Sequence, residues 1–145
     1  MQLRLLDILA DPNTKDWPLK LHVFKETIKE REINAPPYPE TGLYCRFYCA
    51  KNNYFFIKNP GDEKEEWKDK NEWNEEITIQ QCKECIKKEI IEGVLISERK
   101  NGTKQWFPIV DEIPVMFPDE LRDKGIDTKF IEKYKQELKQ LGLKI

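Results

Sequence analysis

The stretch that decides the fold is GVLISERKNGTKQWFPIV, residues 93–110. Its first five residues, Gly93–Ser97, form a short apolar run that is typical of a buried strand. Asn101-Gly102 is a strong turn signal, because both residue types tolerate the left-handed backbone conformation of a tight hairpin. Lys104–Val110 then predicts the returning strand. The sequence therefore predicts an antiparallel β-hairpin at this point.

The residues after the hairpin predict a sheet edge and then a helix. Ile113–Phe117 contains large apolar side chains and one proline, which lacks an N–H and is therefore excluded from a central strand. Asp127 or Thr128 is predicted to cap a helix that ends at Gly142. The apolar face of this helix consists of Phe130, Ile131, Tyr134, Leu138 and Leu141.

The N-terminal residues predict two further elements. Gln2–Ala10 has leucines at helical spacing and predicts a short helix, which Pro12 ends. Trp17–Phe24 alternates apolar and polar side chains and predicts a half-buried strand. The face of this strand that is predicted to be buried consists of Trp17, Leu19, Leu21 and Val23.

Residues 27–91 break this pattern and are interpreted as an insert. Ala35-Pro-Pro-Tyr-Pro39 is a stiff, non-helical connection that leads into it. Two short aromatic strands are predicted on either side of a turn at Asn52-Asn53. A brief strand at 77–79 and a helix over Cys82–Ile91 are predicted to complete the insert.

A charged block at 62–76 lies within the insert and is mostly acidic. Such a run is typical of a solvated loop or a frayed helix. Trp67 and Trp73 are unexpected in this context. We predict that both indole rings fold back onto the insert.

Charge and hydropathy exclude several classes of protein. The 145 residues include 25 basic and 27 acidic side chains, a formal net charge of −2, whereas free-standing nucleic-acid binders usually carry a basic excess. No apolar run approaches the roughly 18 residues of a membrane helix. Leu3–Ala10 is interrupted by two charges and lacks a cleavage site, so it does not match a signal peptide. We expect a soluble cytoplasmic protein that does not bind membranes.

The sequence offers little for catalysis. Its six glycines are too dispersed to form a phosphate-binding loop. The single histidine, His22, alternates with Leu21 and Val23 and is interpreted as a residue on the surface of a strand. No pair of carboxylates lies in an apolar context that would raise a pKa. An enzyme is therefore disfavoured, and no catalytic residue is assigned.

All four cysteines lie in the insert, as Cys45-x3-Cys49 and, after 32 intervening residues, Cys82-x2-Cys85. Two close pairs in an intracellular chain are the usual signature of a tetrahedral zinc site. Zinc would also supply folding energy that a polar insert lacks. We predict that Cys45, Cys49, Cys82 and Cys85 bind structural zinc, in a closed site with no open position for catalysis. Disulfides, free core thiols and a redox centre at the second pair stay open as alternatives.

Two parts of the chain resemble a family of small methyltransferase-activator subunits. Leu5-Leu-Asp-Ile-Leu-Ala-Asp-Pro12 is similar to the family's opening, where a short helix runs into a Cys-Pro. Gly93–Ser97 and Trp106-Phe-Pro-Ile-Val-Asp-Glu-Ile-Pro-Val-Met-Phe-Pro-Asp-Glu-Leu121 are similar to its closing half. There a Cys-x-x-Cys knuckle leads into Tyr-Pro-Ile-x-x-Gly-Ile-Pro-x-Leu-Leu-Pro. Short bacterial relatives share this signature.

The resemblance implies a non-catalytic subunit that binds, stabilises and activates class I S-adenosylmethionine-dependent methyltransferases. Its partners act on tRNA, rRNA or a translation release factor, and RNA is contacted only through the partner. Members of the family form heterodimers by covering an apolar surface and extending the partner's sheet edge to edge. Residues 113–117 fit this mode, although burial under the predicted C-terminal helix is the alternative. The predicted contact consists of Ile113, Pro114, Val115, Met116 and Phe117.

The resemblance also implies the fold and its division. We expect an α+β fold with a small zinc-ribbon-like antiparallel β core, flanking helices and an inserted, cysteine-containing β-rich subdomain. The core domain would comprise residues 1–26 and 92–145, and the insert residues 27–91.

The chain departs from the family at the family's own zinc position. Asp11, Asn13 or Thr14, Ser97 and Lys100 stand where the family has cysteines. We therefore expect no zinc there and a core that relies on apolar packing. The residues expected to supply that packing are Leu6, Leu9, Leu19, Leu21, Leu95 and Ile109.

A zinc-ribbon adaptor that binds RNA or the ribosome directly is the alternative function. Its support is a set of basic and aromatic side chains interleaved as base-stacking platforms require. These residues are Tyr44, Arg46, Phe47, Tyr48, Lys51, Tyr54 and Phe55. The acidic block at 62–76 counts against it, because it would repel phosphate. A thiol enzyme is a third and weaker alternative.

Overall fold

The computed structural model describes residues 1–145 and contains two α-helices, three 3-10 turns and two β-sheets. The strands are β1 (Lys20–Ile28), β2 (Tyr48–Cys49), β3 (Tyr54–Phe55), β4 (Lys88–Glu98), β5 (Lys104–Val110) and β6 (Ile113–Pro114). The helices are α1 (Ile79–Cys85) and α2 (Lys124–Gln140), and the 3-10 turns are Leu3–Asp7, Lys70–Glu72 and Asp119–Leu121. The four-stranded sheet has the order β1-β4-β5-β6, and β2 pairs with β3 in a second sheet. The predicted α+β class is confirmed.

The chain divides into two compact units. The first consists of Met1, Leu9–Glu26 and Ile90–Ile145, and we call it the core unit. The second consists of Gln2–Ile8 and Thr27–Glu89 and holds all four cysteines, so we call it the cysteine unit.

The predicted hairpin forms the centre of the core unit. β4 and β5 pair antiparallel from Gly93 opposite Ile109 to Glu98 opposite Lys104. Gly102 in the connecting turn has φ +82°, as the Asn-Gly signal predicts. Val94 and its neighbour Leu95 point to opposite faces of this ladder, and neither has any exposed surface. The ladder is therefore covered on both faces.

Helix α2 covers one face of the hairpin. The buried cluster that joins them consists of Val94, Ile96, Trp106, Phe130, Leu138 and Leu143. The helix begins earlier than predicted, because the Asp123 carboxylate accepts hydrogen bonds from the N–H groups of Gly125 (2.9 Å) and Ile126 (3.2 Å). Its predicted apolar face and its end before Gly142, which has φ +72°, are confirmed.

Strand β1 differs from the strand predicted over Trp17–Phe24. Trp17 and Leu19 precede the strand, and Val23 is 40% exposed instead of buried. The reason is that Phe24, on the opposite face, packs against α2, with its ring centroid 4.5 Å from that of Tyr134. Gly93 allows β1 to approach β4 closely, since a Cβ atom there would lie 2.6 Å from the His22 carbonyl oxygen.

The cysteine unit contains little regular structure. Tyr48 pairs with Phe55 and Cys49 with Tyr54, on either side of the predicted turn, where Asn53 has φ +49°. Its buried cluster consists of Leu43, Cys49, Phe56 and Ile77, with Cys45, Tyr54, Trp67, Trp73 and Cys82 packed against it. The prediction that both tryptophans fold back onto this part of the chain is confirmed.

Two helix predictions are corrected. The N-terminal helix is a 3-10 turn over Leu3–Asp7. The helix predicted over Cys82–Ile91 begins at Ile79 instead, because the Thr78 hydroxyl accepts a hydrogen bond from the Gln81 N–H (3.2 Å). It ends at Cys85, and the residues from Lys88 onward extend β4, since the β-branched pair Ile90-Ile91 suits a strand.

The turn between β5 and β6 generates a stability prediction. Its two residues, Asp111 and Glu112, have φ +47° and +72°, a conformation that glycine adopts without strain. The resembled family has glycine at the second position. We expect Glu112→Gly to raise the free energy of unfolding by about 1 kcal/mol, measured by urea denaturation.

Glu112→Ala is the matched control for this substitution. It removes the same carboxylate but keeps a Cβ atom at positive φ, so we expect no stabilisation. Equal effects of the alanine and glycine variants would show that the carboxylate, and not the backbone conformation, is responsible.

Candidate functional site

The open edge of the four-stranded sheet carries the predicted partner contact. Ile113 and Pro114 form β6, where Val110 pairs with Ile113 and Ile109 with Pro114. The Val115 N–H extends this pairing by donating to the Pro108 carbonyl (2.8 Å). No strand lies on the other side of β6, so the proline is at an edge, as predicted.

Large apolar side chains are exposed along this edge. Ile113 is 64% exposed and Phe117 42%, whereas Pro114, Val115 and Met116 are half-buried. Leu121, in the 3-10 turn that follows, is 66% exposed. We call residues 113–121 the apolar edge.

Leu121 was missed from the sequence. The predicted contact ended at Phe117, and the two acidic residues before Leu121 gave no sign of an apolar surface there. A leucine with two-thirds of its surface exposed is the kind of side chain that a partner covers.

Asp11 and Ser97, at two positions where the resemblance implies cysteines, are both buried in the core unit, at 0% and 2% exposure. The Arg99 guanidinium lies beside them, with Nε 3.5 Å from Asp11 Oδ2. Its Nη2 atom lies 3.7 Å from Asp119 Oδ2.

These residues do not fit the zinc that the resemblance implies for this position. Zinc takes thiolate, imidazole or carboxylate ligands, and here one carboxylate and one hydroxyl lie beside a fixed positive charge. The positive charge that faces Asp11 is the Arg99 guanidinium.

Hydrogen bonds also hold Asp11 in its ionised form. Its Oδ1 atom accepts from the N–H groups of Asn13 (2.8 Å) and Thr14 (3.3 Å). Burial would raise the pKa of Asp11, but these two N–H groups, the Ser97 hydroxyl and the Arg99 charge outweigh it. The pKa therefore lies below its ordinary value of 3.8.

Two further carboxyl groups of the core unit have lowered pKa values. Burial would raise the pKa of Glu92, but the ammonium group of Lys133, 2.6 Å away, outweighs it. A hydrogen bond from Lys20 lowers the pKa of Glu98, which is exposed. All three shifted carboxyl groups are therefore ionised at neutral pH and act as partners in ion pairs.

The four cysteines line one cavity of about 20 Å³ in the cysteine unit. Cys45 precedes β2, Cys49 ends it, and Cys82 and Cys85 lie one turn apart on α1. All four thiols are free. The fold therefore brings together the two pairs that the sequence separates by 32 residues.

A buried carboxylate shapes the loop between Cys45 and Cys49. Asp7, which is 3% exposed, accepts hydrogen bonds from three consecutive N–H groups in this loop. These belong to Arg46 (2.7 Å), Phe47 (2.8 Å) and Tyr48 (2.7 Å). Sequence reasoning missed Asp7 because its partners lie about 40 residues away along the chain.

Three of the four thiols are poor nucleophiles as they stand. Burial raises the pKa of Cys45, and the charges of Asp7 and of the other three cysteines raise it further. Burial also raises the pKa of Cys82, and that of Cys85 to about 11. Protonation of these three thiols at neutral pH disfavours a thiol enzyme that uses Cys45, Cys82 or Cys85 as its nucleophile. As the side chains lie, no group of three or more His, Cys, Asp or Glu residues is arranged to hold a metal ion.

The aromatic side chains proposed as base-stacking platforms pack against one another within the cysteine unit. Phe47 stacks on Trp67 with ring centroids 5.6 Å apart, and the Arg46 guanidinium lies 4.7 Å from the Phe47 ring. Tyr44 and Tyr48 are buried. Packing within the unit therefore accounts for Tyr44 and Tyr48, whereas Phe47, Tyr54 and Phe55 are half-buried.

Comparison with known proteins gives no assignment. No family model matches the sequence, and no curated protein matches it. Neither α1 nor α2 combines the length and the hydropathy that a membrane-spanning helix requires. Function is therefore inferred from the sequence resemblance together with the apolar edge and the cysteine cavity.

The Asp11–Arg99 pair generates a pH prediction. Because the pKa of Asp11 is lower in the folded chain than in the unfolded one, its stabilising contribution is complete above pH 3.8 and is lost as the pH falls further. We expect Asp11→Asn to lower the free energy of unfolding by about 3 kcal/mol at neutral pH. The difference from the unmodified chain should shrink as the pH falls to about 2.5, in urea titrations.

Asp119→Asn is the matched control, because Asp119 pairs with the same arginine but its side chain is 51% exposed. We expect it to cost less than about 1 kcal/mol at every pH. A constant difference between Asp11→Asn and the unmodified chain at all pH values would contradict the ion-pair interpretation.

Proposed function

We propose that this protein is a non-catalytic subunit that binds, stabilises and activates S-adenosylmethionine-dependent methyltransferases acting on tRNA, rRNA or translation factors. Its core is of the zinc-ribbon-like type without the family's metal, and it works in the cytoplasm as one half of a heterodimer. RNA is contacted through the methyltransferase.

The observation that carries this proposal is the apolar edge. Ile113 is 64% exposed, Leu121 66% and Phe117 42%, at the edge of the sheet where no strand follows β6. The resemblance assigns the partner contact to this same segment. A partner that covers these side chains removes them from water, which contributes roughly 25 cal/mol for each Å² of apolar surface buried.

Strand addition is the binding mode that suits this edge. In this mode an incoming strand would lie along residues 113–117, where Pro114 offers a carbonyl but no N–H, and alternate side chains would enter pockets on the partner. The β4–β5 ladder, whose central residues are buried, holds the edge in place, and such preorganisation keeps the entropic cost of binding low.

The direct test is purification of the tagged chain from its own host, followed by mass spectrometry and a methyl-transfer assay. We expect a stoichiometric methyltransferase whose activity on tRNA, rRNA or a translation factor falls when the chain is removed. Ile113→Asp and Phe117→Asp should each weaken the complex by about 30-fold or more, because each places a charge in an apolar contact. Both side chains are exposed, so the isolated fold should be retained.

Val23→Asp is the matched control. Val23 is 40% exposed on β1, at the opposite edge of the same sheet, and the substitution is identical in kind. We expect it to leave affinity unchanged. If Val23→Asp weakened binding and the two variants at the apolar edge did not, the contact would lie at the β1 edge and the proposed interface would be wrong. RNA binding by the isolated chain with a steep salt dependence, and no methyltransferase, would favour the adaptor function.

A further inference from the structure

The cysteine cavity is not used by the proposed partner contact. Each of its four thiols lies within electrostatic range of the other three. With a volume of about 20 Å³, the cavity admits a single atom or ion and no small-molecule substrate. Apart from the sulfur atoms, its wall includes the apolar side chains of Leu3 and Ile86.

Donor groups point at the sulfur atoms from outside the cluster. Asn52 Nδ2 donates to Cys49 Sγ at 3.3 Å, and the backbone N–H of Tyr44 donates to Cys82. Lys51 and Lys88 place positive charge near Cys85. These groups offset part of the effect of burial, which raises the pKa of Cys82 and Cys85, and they are the usual outer partners of thiolate metal ligands.

We propose that Cys45, Cys49, Cys82 and Cys85 together bind one zinc ion in a closed, structural site. On binding, the four thiols release four protons to water and the ion takes four sulfur ligands. The complex then carries a net charge of −2, which faces Lys51 and Lys88. This site is independent of the proposed partner and differs in position from the zinc site of the resembled family.

Sulfur chemistry and size select the ion. Thiolates are soft ligands that favour zinc over magnesium or calcium, which prefer oxygen and keep bound water. Because the side chains are not already arranged around a point, binding must rotate them until each sulfur lies about 2.3 Å from the ion. The loop between Cys45 and Cys49 is already held by hydrogen bonds to the Asp7 carboxylate, which limits the backbone movement needed there.

The cysteine unit has little regular secondary structure. Its only sheet pairs two residues with two and its helix has seven residues, so side-chain packing holds most of the unit together. A metal that joins β2 to α1 would tie the two regular elements of the unit directly.

The experiment is metal analysis of the full chain purified without chelators, combined with thiol titration. We expect about one zinc per chain and thiols that react only after a strong chelator is added. Chelation should lower the Tm by roughly 10 °C or more. Reconstitution with Co²⁺ should produce sulfur-to-cobalt charge-transfer absorption. A chain without metal that has four freely reactive thiols, or two disulfides by mass, would overturn the proposal.

Variants assign the metal to these residues. Cys45→Ser and Cys82→Ser should each abolish stoichiometric zinc, and Asn52→Ala should weaken it by about 10-fold while the chain stays folded. Ile77→Val is the matched control, because it loosens the same buried cluster and removes no sulfur atom. Asp11→Asn is a second control, because Asp11 stands where the resemblance implies the family's zinc site. We expect this variant to keep its zinc. Zinc retained by both serine variants, or lost from either control, would also overturn the proposal.

Discussion

The antiparallel pairing of β4 with β5 is the interaction on which the core unit depends. The ladder is buried on both faces, so its backbone groups can only be satisfied by pairing with neighbouring strands. Helix α2 packs on one face of the ladder, where Phe130 of α2 and Trp106 of β5 share a cluster. Strand β1 pairs with β4, and β6 pairs with β5. The close approach at Gly93 and the left-handed turn at Asp111 and Glu112 are local consequences of fitting those outer strands to the ladder.

The core unit holds a buried ion pair. Asp11 is buried, carries a charge, and faces the Arg99 guanidinium and the N–H groups of its own loop. The pair joins the N-terminal loop to the β4–β5 hairpin, but its net gain in free energy is limited, because a guanidinium and a carboxylate both lose solvation. This arrangement leaves apolar packing as the main source of stability in the core unit.

The cysteine unit is organised differently. Its interior is built from rings and thiols, and the carboxylate of Asp7 binds the loop that carries two of the cysteines. The stacked pair Phe47 and Trp67 accounts for an aromatic pattern that, in the sequence, resembles a nucleic-acid platform. Interleaved aromatic and basic residues are therefore ambiguous until burial is known.

The hairpin, the edge position of Pro114 and the apolar face of α2 were determined by the sequence, because hydrophobic periodicity, an Asn-Gly turn and a missing N–H act locally. The exposure of Val23 was decided by tertiary structure, since the packing of Phe24 against α2 outweighed the local pattern. The start of α1 at Ile79 follows from a local cap, the Thr78 hydroxyl, that the sequence prediction did not use. The spacing of the cysteines indicated a common site, but only the fold could place all four on one cavity and bring Asp7 and Arg99 to their partners. Those contacts join residues distant in the chain, and a one-dimensional pattern carries no information about which distant groups meet.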